Sequence, residues 1–161
     1  MIIYDIYPSV IGPLRICVSD GCITELTLAN PQVYLPAPSC HPAHIAARQW
    51  LDAYFQGAPL PPLPPLRPVG TAFQQQVWQH LLSIPPGQTV SYGFIARQLS
   101  AAAGGKRVSA QAVGQAIGKN PIWIMIPCHR VIGAKGQLTG YAGGLEMKRQ
   151  LLRHEARHYS Q

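Results

Sequence analysis

Ser91–Gly118, SYGFIARQLSAAAGGKRVSAQAVGQAIG, is the stretch whose reading decides the fold. Ser91 can cap a helix that carries Phe94, Ile95 and Leu99 at helical spacing, and Ser109 can cap a second, Ala110 to Ile117, closed by Gly118. Two short helices followed by an extended segment predict a helix-turn-helix, with Ala110–Ile117 as the recognition helix. The connection SAAAGGKRV, Ser100–Val108, is longer than the usual turn of about three or four residues, so ordinary helical packing is the plainer alternative.

The pattern continues outward from this core. Upstream, Thr71 and Gln74 form a capping-box pattern, and Phe73, Val77 and Leu81 follow at helical spacing until Pro85-Pro86-Gly87. Downstream, IWIMI, Ile122–Ile126, is an apolar run suited to a buried strand, and a last helix from Gly144 is expected to bury Leu145, Leu151 and Leu152. Before all of these lies GAPLPPLPPLRPVG, Gly57–Gly70, with six of the sixteen prolines. It reads as an extended, semi-rigid connector, with a polyproline ligand as the competing reading. Ahead of the connector, IIYDIY, LRICVS and CITELTL read as strands, the last two joined across Asp20-Gly21 as a tight hairpin. Ile45, Leu51, Tyr54 and Phe55 then mark an amphipathic helix ending before Gly57. The expected organisation is α/β in two small domains: residues 1–66, ending in the connector, and residues 67–161.

Composition limits the function. The 161 residues are 47% apolar and 12% charged, which suits a globular chain and not a disordered tail. No apolar run approaches the roughly 18 residues of a spanning helix, and MIIYDIYPSV lacks the basic start of a secretory signal, so a cytoplasmic protein is expected. Four cysteines do not suggest a disulfide framework. Residues 1–66 hold two basic against four acidic side chains, net −2, while residues 67–161 hold eleven against two, net +9. An excess confined to one half points to a polyanion partner, most plausibly nucleic acid, although a basic but idle surface is the alternative.

Pro127-Cys128-His129-Arg130-Val131 follows IWIMI directly. A run ended by proline turns, which could present Cys128 at a cleft. The thiolate is the reactive form, and nearby cations or hydrogen bonds lower the pKa that controls it. Taken alone, a single cysteine is more often an inert core residue.

The wider series is specific. Gly70-Thr71-Ala72-Phe73-Gln74, Val77-Trp78, Gly87-Gln88-Thr89-Val90-Ser91-Tyr92, Asn120-Pro121, Pro127 to Val131, Gly140-Tyr141-Ala142-Gly143-Gly144 and Leu151-Leu152-Arg153-His154-Glu155 together resemble the O6-alkylguanine-DNA alkyltransferases, from about Gly70 to Glu155. The resemblance implies a ribonuclease-H-like N-terminal sheet domain and a winged helix-turn-helix C-terminal domain. It also implies direct reversal of DNA damage without a cofactor. The alkyl group of O6-alkylguanine, and by extension O4-alkylthymine, passes once and irreversibly from double-stranded DNA to Cys128. In the family a hydrogen-bond chain runs from the cysteine through a water to a histidine and a glutamate, here His129 and Glu155. Asn120 matches the residue bracing the active-site turn. Tyr92 matches the tyrosine that rotates the 3′ phosphate and donates to the departing guanine. Tyr141 and Val131 match pocket walls, and Gly114 a small residue facing the minor-groove backbone. Lys106, Arg107, Lys119 and Arg130 are candidate phosphate contacts, which supply affinity without sequence preference.

Three departures stand out. Gln111 occupies the position of the intercalating arginine, for which Arg107 could substitute. The Ser100–Val108 loop is longer than in relatives. Trp123 stands where a smaller residue flanks the pocket. Cys17, Cys22, Cys40, His41 and His44 crowd the first half, but their spacing fits no zinc pattern, so no metal is expected. A monomer is expected, associated with the nucleoid if bacterial. Two rival functions remain: an alkyltransferase-like protein that binds lesions and flags them, whose members replace the cysteine, and a small cysteine hydrolase using Cys128 and His129.

Overall fold

The computed structural model describes residues 1–30, 32 and 37–160. It divides into two compact units, one of Met1–Val69 with Pro121–Trp123, the other of Gly70–Asn120 with Ile124–Gln161.

The first unit is an antiparallel sheet in the order β1 (Ile2–Ser9), β2 (Gly12–Ser19), β3 (Cys22–Leu28), covered by the helix α1 (Pro42–Gln56). Asp20 and Gly21 both take positive φ, 50° and 75°, as the tight β2–β3 turn requires. Leu14, Ile16, Val18, Ile23 and Leu26 are buried, and a register shift at Cys17/Val18, with Thr24 the extra residue of β3, lets Ile23 and Leu26 share the buried face. α1 starts with the His41 side chain accepting from the Ala43 N–H and ends at left-handed Gly57. Its buried face is Ala43, His44, Ala47, Trp50, Leu51 and Tyr54. Ile45, expected on that face, is exposed, because it stands about 100° from His44 and about 160° from Ala47 around the helix.

The free edge of β3 is covered twice. Ile23 N–H donates to Pro65 O and Arg67 N–H to Ile23 O, each at 2.8 Å, so the proline-rich connector pairs through the backbone groups that proline leaves available. Further along, Leu26 N–H donates to Pro121 O at 2.9 Å and Trp123 N–H to Leu26 O at 2.8 Å. Two short clips thus protect an edge that would otherwise be open.

The second unit is mainly helical: α2 (Ala72–Leu81), α3 (Tyr92–Ala102), α4 (Ala110–Ile117) and α5 (Leu145–His158), with a parallel pair of two-residue strands, β4 (Val90–Ser91) and β5 (Val131–Ile132). Thr71 and Gln74 close the complete capping box on α2, while Ser91 and Ser109 cap α3 and α4. Val77, Trp78, Leu81, Ile95, Leu99, Val113 and Ala116 form the core of the three-helix part, and the Trp78 indole N–H donates to Ala116 O at 2.9 Å. The α3–α4 pair is the helix-turn-helix that the sequence predicts, with Gly104 and Gly105 at positive φ in its long connection.

Two expectations need correction. Ile122–Ile126 is not a strand: it makes a buried turn, with Ile124 at φ 70°. Its apolar character reports burial, which a strand and a turn share; its first part clips β3 and its remainder belongs to the second unit. Leu145 and Phe94 are exposed, and α5 instead buries Met147, Lys148, Leu151 and Glu155. Among the described residues no helix is long and apolar enough to cross a membrane.

Candidate active site

The turn that follows Ile124 is pinned from both sides. Asn120, buried, donates its side-chain N–H to Ile126 O at 2.9 Å, and Cys128 N–H donates to the same carbonyl at 2.8 Å. Pro127 then leads into a single 3-10 turn, Cys128–Arg130. This geometry sets the Cys128 side chain in the wall of a cleft of about 640 Å³, lined also by Tyr92, Gln111, Gly114, Thr139 and Tyr141.

Cys128 is only 3% exposed, and burial pushes its thiol up to about 11. Hydrogen bonding from Asn120 and Tyr141 and the charge of Lys148 act against that rise. Lys148, fully buried, donates Nζ to Val131 O at 2.7 Å and to Thr139 O at 3.1 Å. Burial lowers its pKa and the neighbourhood of Cys128 opposes the fall. Nothing in the sequence reading marked this lysine. The signal was available, since it lies beside the Met147–Leu151–Glu155 stripe of an amphipathic helix, where a cation needs partners.

The two residues that follow the cysteine belong to a buried polar group of three, His129, Arg130 and Glu155. His129 Nε2 stands 2.5 Å from Glu155 Oε2. An ionised carboxylate only accepts, so Nε2 carries the hydrogen and Nδ1 holds the lone pair. His129 Nδ1 is buried and has no hydrogen-bond partner among the described residues. Burial lowers the His129 pKa, with Glu155 pulling the other way, so the ring is neutral at pH 7. Burial alone would raise the Glu155 carboxyl, but His129 and Arg130 outweigh it and hold the group well below the usual carboxylate range.

Arg130 is the partner that secures that ionisation. Its Nε donates to Glu155 Oε1 at 2.7 Å, its Nη2 to Oε2 at 3.0 Å and its Nη1 to Ile84 O at 2.7 Å, with the side chain 6% exposed. This corrects the expectation of a phosphate contact: a guanidinium committed to a buried carboxylate is not offered to DNA.

The remaining candidates fall in three places. Tyr92, Gln111, Gly114 and Tyr141 line the cleft with Cys128. The Tyr92 ring lies 3.7 Å from where a Cβ on Gly114 would sit, so these two residues are in direct apposition. Lys106 and Arg107 are exposed and border a separate groove of about 550 Å³, walled by Phe73, Leu99 and Val108. Arg107 therefore does not share the cleft that Gln111 lines. Lys119 is exposed just beyond α4, against a third depression with Thr71 and Gln115. Val131 and Trp123 are not among the cleft residues: Val131 is fully buried in β5, and Trp123 belongs to the first unit. Thr139, also missed from sequence, is a cleft residue whose Oγ1 lies 2.7 Å from the Tyr92 hydroxyl. Elsewhere Cys17 is buried, Cys22 half-buried and Cys40 exposed, and no three metal-ligating side chains group together among the described residues.

Fold and site together define a class: a helix-turn-helix protein whose cleft carries a cysteine, followed in the chain by a buried histidine paired with a glutamate. Comparison with known proteins narrows it. Residues 72–157 match the family model described as 6-O-methylguanine DNA methyltransferase, DNA binding domain. A methylated-DNA–protein-cysteine methyltransferase of Mycobacterium leprae is 46% identical over 91% of this chain and 88% of its own. The crystal structure of Mycobacterium tuberculosis O6-methylguanine methyltransferase superposes with a TM-score of 0.83 at 42% identity, covering 98% of this chain and 94% of that one. A second crystal structure, of the same organism's OGT in complex with DNA, gives a TM-score of 0.82 at the same identity and coverage. The chain belongs to the methylated-DNA–protein-cysteine methyltransferase family.

Proposed function

We propose that this protein repairs O6-alkylguanine in double-stranded DNA by moving the alkyl group onto Cys128, once per molecule. The observation that carries the reading is Cys128 at the cleft wall, next in the chain to a neutral His129 that Glu155 holds in place. A base inside a duplex is out of reach of a cleft, so the damaged nucleotide must swing out of the stack at a cost of a few kcal/mol. α4 carries Gln111 and Gly114 along one border of the cleft, which suits entry from the DNA side. The net +9 of residues 67–161 supplies attraction to phosphate, with Lys106, Arg107 and Lys119 exposed to provide it.

The chemistry is an in-line displacement. As His129 Nδ1 takes the thiol proton, directly or through one water, the sulfur pair attacks the alkyl carbon. The carbon–O6 bond breaks and its electron pair leaves with guanine, to which a hydrogen bond from Tyr92 or Tyr141 in the cleft lends stabilisation. A thioether remains on Cys128, and no step returns it to thiol. With its pKa raised, Cys128 rests as a thiol, so it becomes a nucleophile only as the proton is drawn off. Glu155 fixes the histidine tautomer, and Arg130 keeps Glu155 ionised. Asn120 holds the turn from which the sulfur is presented. The substrate places this activity with the chromosome, which in a bacterium means the nucleoid.

Cys128→Ala tests the assignment. It should abolish methyl transfer from O6-methylguanine DNA while DNA binding persists. Retained transfer in that variant would sink it.

A further inference from the structure

Thr139 lies at a junction that neither the motif reading nor the reaction scheme uses. Its hydroxyl is 2.7 Å from the Tyr92 hydroxyl, with either oxygen able to donate, while its carbonyl accepts from the buried Lys148 at 3.1 Å. Lys148 Nζ also binds Val131 O, directly after the Cys128–Arg130 turn, and lies 6.0 Å from the centre of the Tyr92 ring. Thr139, through Lys148, thus ties the N-terminus of α3 to the segment that carries the nucleophile.

The hydroxyl direction has a chemical consequence. A phenol has one proton. If Tyr92 gives it to Thr139, nothing is left for a guanine in the cleft. If Thr139 donates instead, the phenol oxygen accepts, and the phenol proton points away from Thr139. The Lys148 bond to the Thr139 carbonyl holds the backbone, so the hydroxyl has a fixed base from which to rotate.

We infer that Thr139 is a positioning residue for the transfer: by donating its hydroxyl hydrogen to Tyr92, it frees and aims the phenol proton at the departing guanine. The inference rests on the functional reading above, and it gives the 139–142 segment a task beyond walling the cleft. No atom is transferred to or from Thr139.

The test is single-turnover methyl transfer to Cys128 from duplex O6-methylguanine DNA, with the rate at saturation separated from the half-saturating DNA concentration. Thr139→Val, which keeps the shape and loses the hydroxyl, should slow the saturated rate about fivefold, the equivalent of one hydrogen bond of about 1 kcal/mol, and leave half-saturation unchanged. Thr139→Ala should do the same if valine packs badly, and Thr139→Ser should rescue most of the rate. In a Tyr92→Phe background Thr139→Val should add nothing, because the group it acts through is gone. An undiminished rate in Thr139→Val, an additive loss with Tyr92→Phe, or a serine variant as slow as valine each overturns the inference alone. No methyl on wild-type Cys128 overturns the functional reading, and the inference with it.

Discussion

Replacing Glu155 with glutamine removes a charge that two buried side chains share. The carboxylate accepts from His129 Nε2 at 2.5 Å and from Arg130 at 2.7 and 3.0 Å, in a pocket where these side chains are at most 6% exposed. Glutamine has nearly the same shape, but its amide nitrogen must face either the imidazole N–H or the guanidinium, donor against donor. Arg130 also keeps its charge without a counter-ion. Breaking a buried ion pair from one side costs about 3–5 kcal/mol. With about 2–4 °C per kcal/mol for chains of this size, the melting temperature should fall by about 6–20 °C. Replacing both partners, Arg130→Met with Glu155→Met, should recover much of that loss, since no charge is then stranded. It should not recover the reaction, because His129 would still lack the acceptor that sets its tautomer. Calorimetric melting measures the first effect. Single-turnover methyl transfer, run well below every melting point, measures the second, with a drop of at least about tenfold expected in both variants. A Glu155→Gln melting temperature within 2 °C of wild type, about the shift of a single kcal/mol, would refute the buried-pair reasoning. Full activity in the double variant would refute the role of Glu155 in orienting His129.

Three further outcomes follow from the same geometry. Gln111→Arg should accelerate repair in duplex DNA and leave reaction with a free guanine analogue unchanged, because it adds a stacking cation at the cleft border, whereas Arg107→Ala should mainly lower the slope of log K against log[salt] by about 0.9. Equal duplex rates for Gln111→Arg and wild type count against this, as does a larger rate loss from Arg107→Ala. The His129 and Glu155 pKa values both lie below their ordinary values, so the stability they contribute is full above pH 6.5 and drains away as pH falls through the folded-state values. Melting temperature should drop on acidification, and the transfer rate should stay level down to about pH 6.5 and decline only below it, as the base becomes protonated. A rate already falling between pH 8 and 7 contradicts a neutral, depressed His129. Iodoacetamide at pH 7.5, followed by peptide mapping, should label exposed Cys40 well before buried Cys128, whose thiol pKa is about 11. Cys128 labelled first would mean that the resting thiolate is abundant.

What the sequence disclosed and what it hid divide along a physical line. Local chemistry was legible: Asp20-Gly21 as a hairpin turn, Thr71, Ser91 and Ser109 as caps, and Gly57 as a helix stop all depend on a few neighbouring residues. The residues around Cys128 were legible through their ordered series, and Cys128, Tyr92, Gln111, Gly114 and Tyr141 do meet at one cleft. Long-range partnership was not. Arg130 reads as a surface cation until Glu155, 25 residues on, folds onto it, and nothing local names the two carbonyls that accept from Lys148. Ile122–Ile126 reads as a strand because periodicity reports burial and not φ, and Ile124 at 70° carries no mark in a run of apolar residues. Thr139 was hidden for the same reason as Arg130: its partner, Tyr92, lies on another element.

The most direct trial of the account is intact-mass analysis, with peptide mapping, of the wild-type protein after incubation with duplex O6-methylguanine DNA. The account predicts the gain of one methyl group per molecule, located on Cys128, with no further gain from excess substrate. Tight binding with unchanged mass, or a methyl group found on Cys17, Cys22 or Cys40, would contradict it.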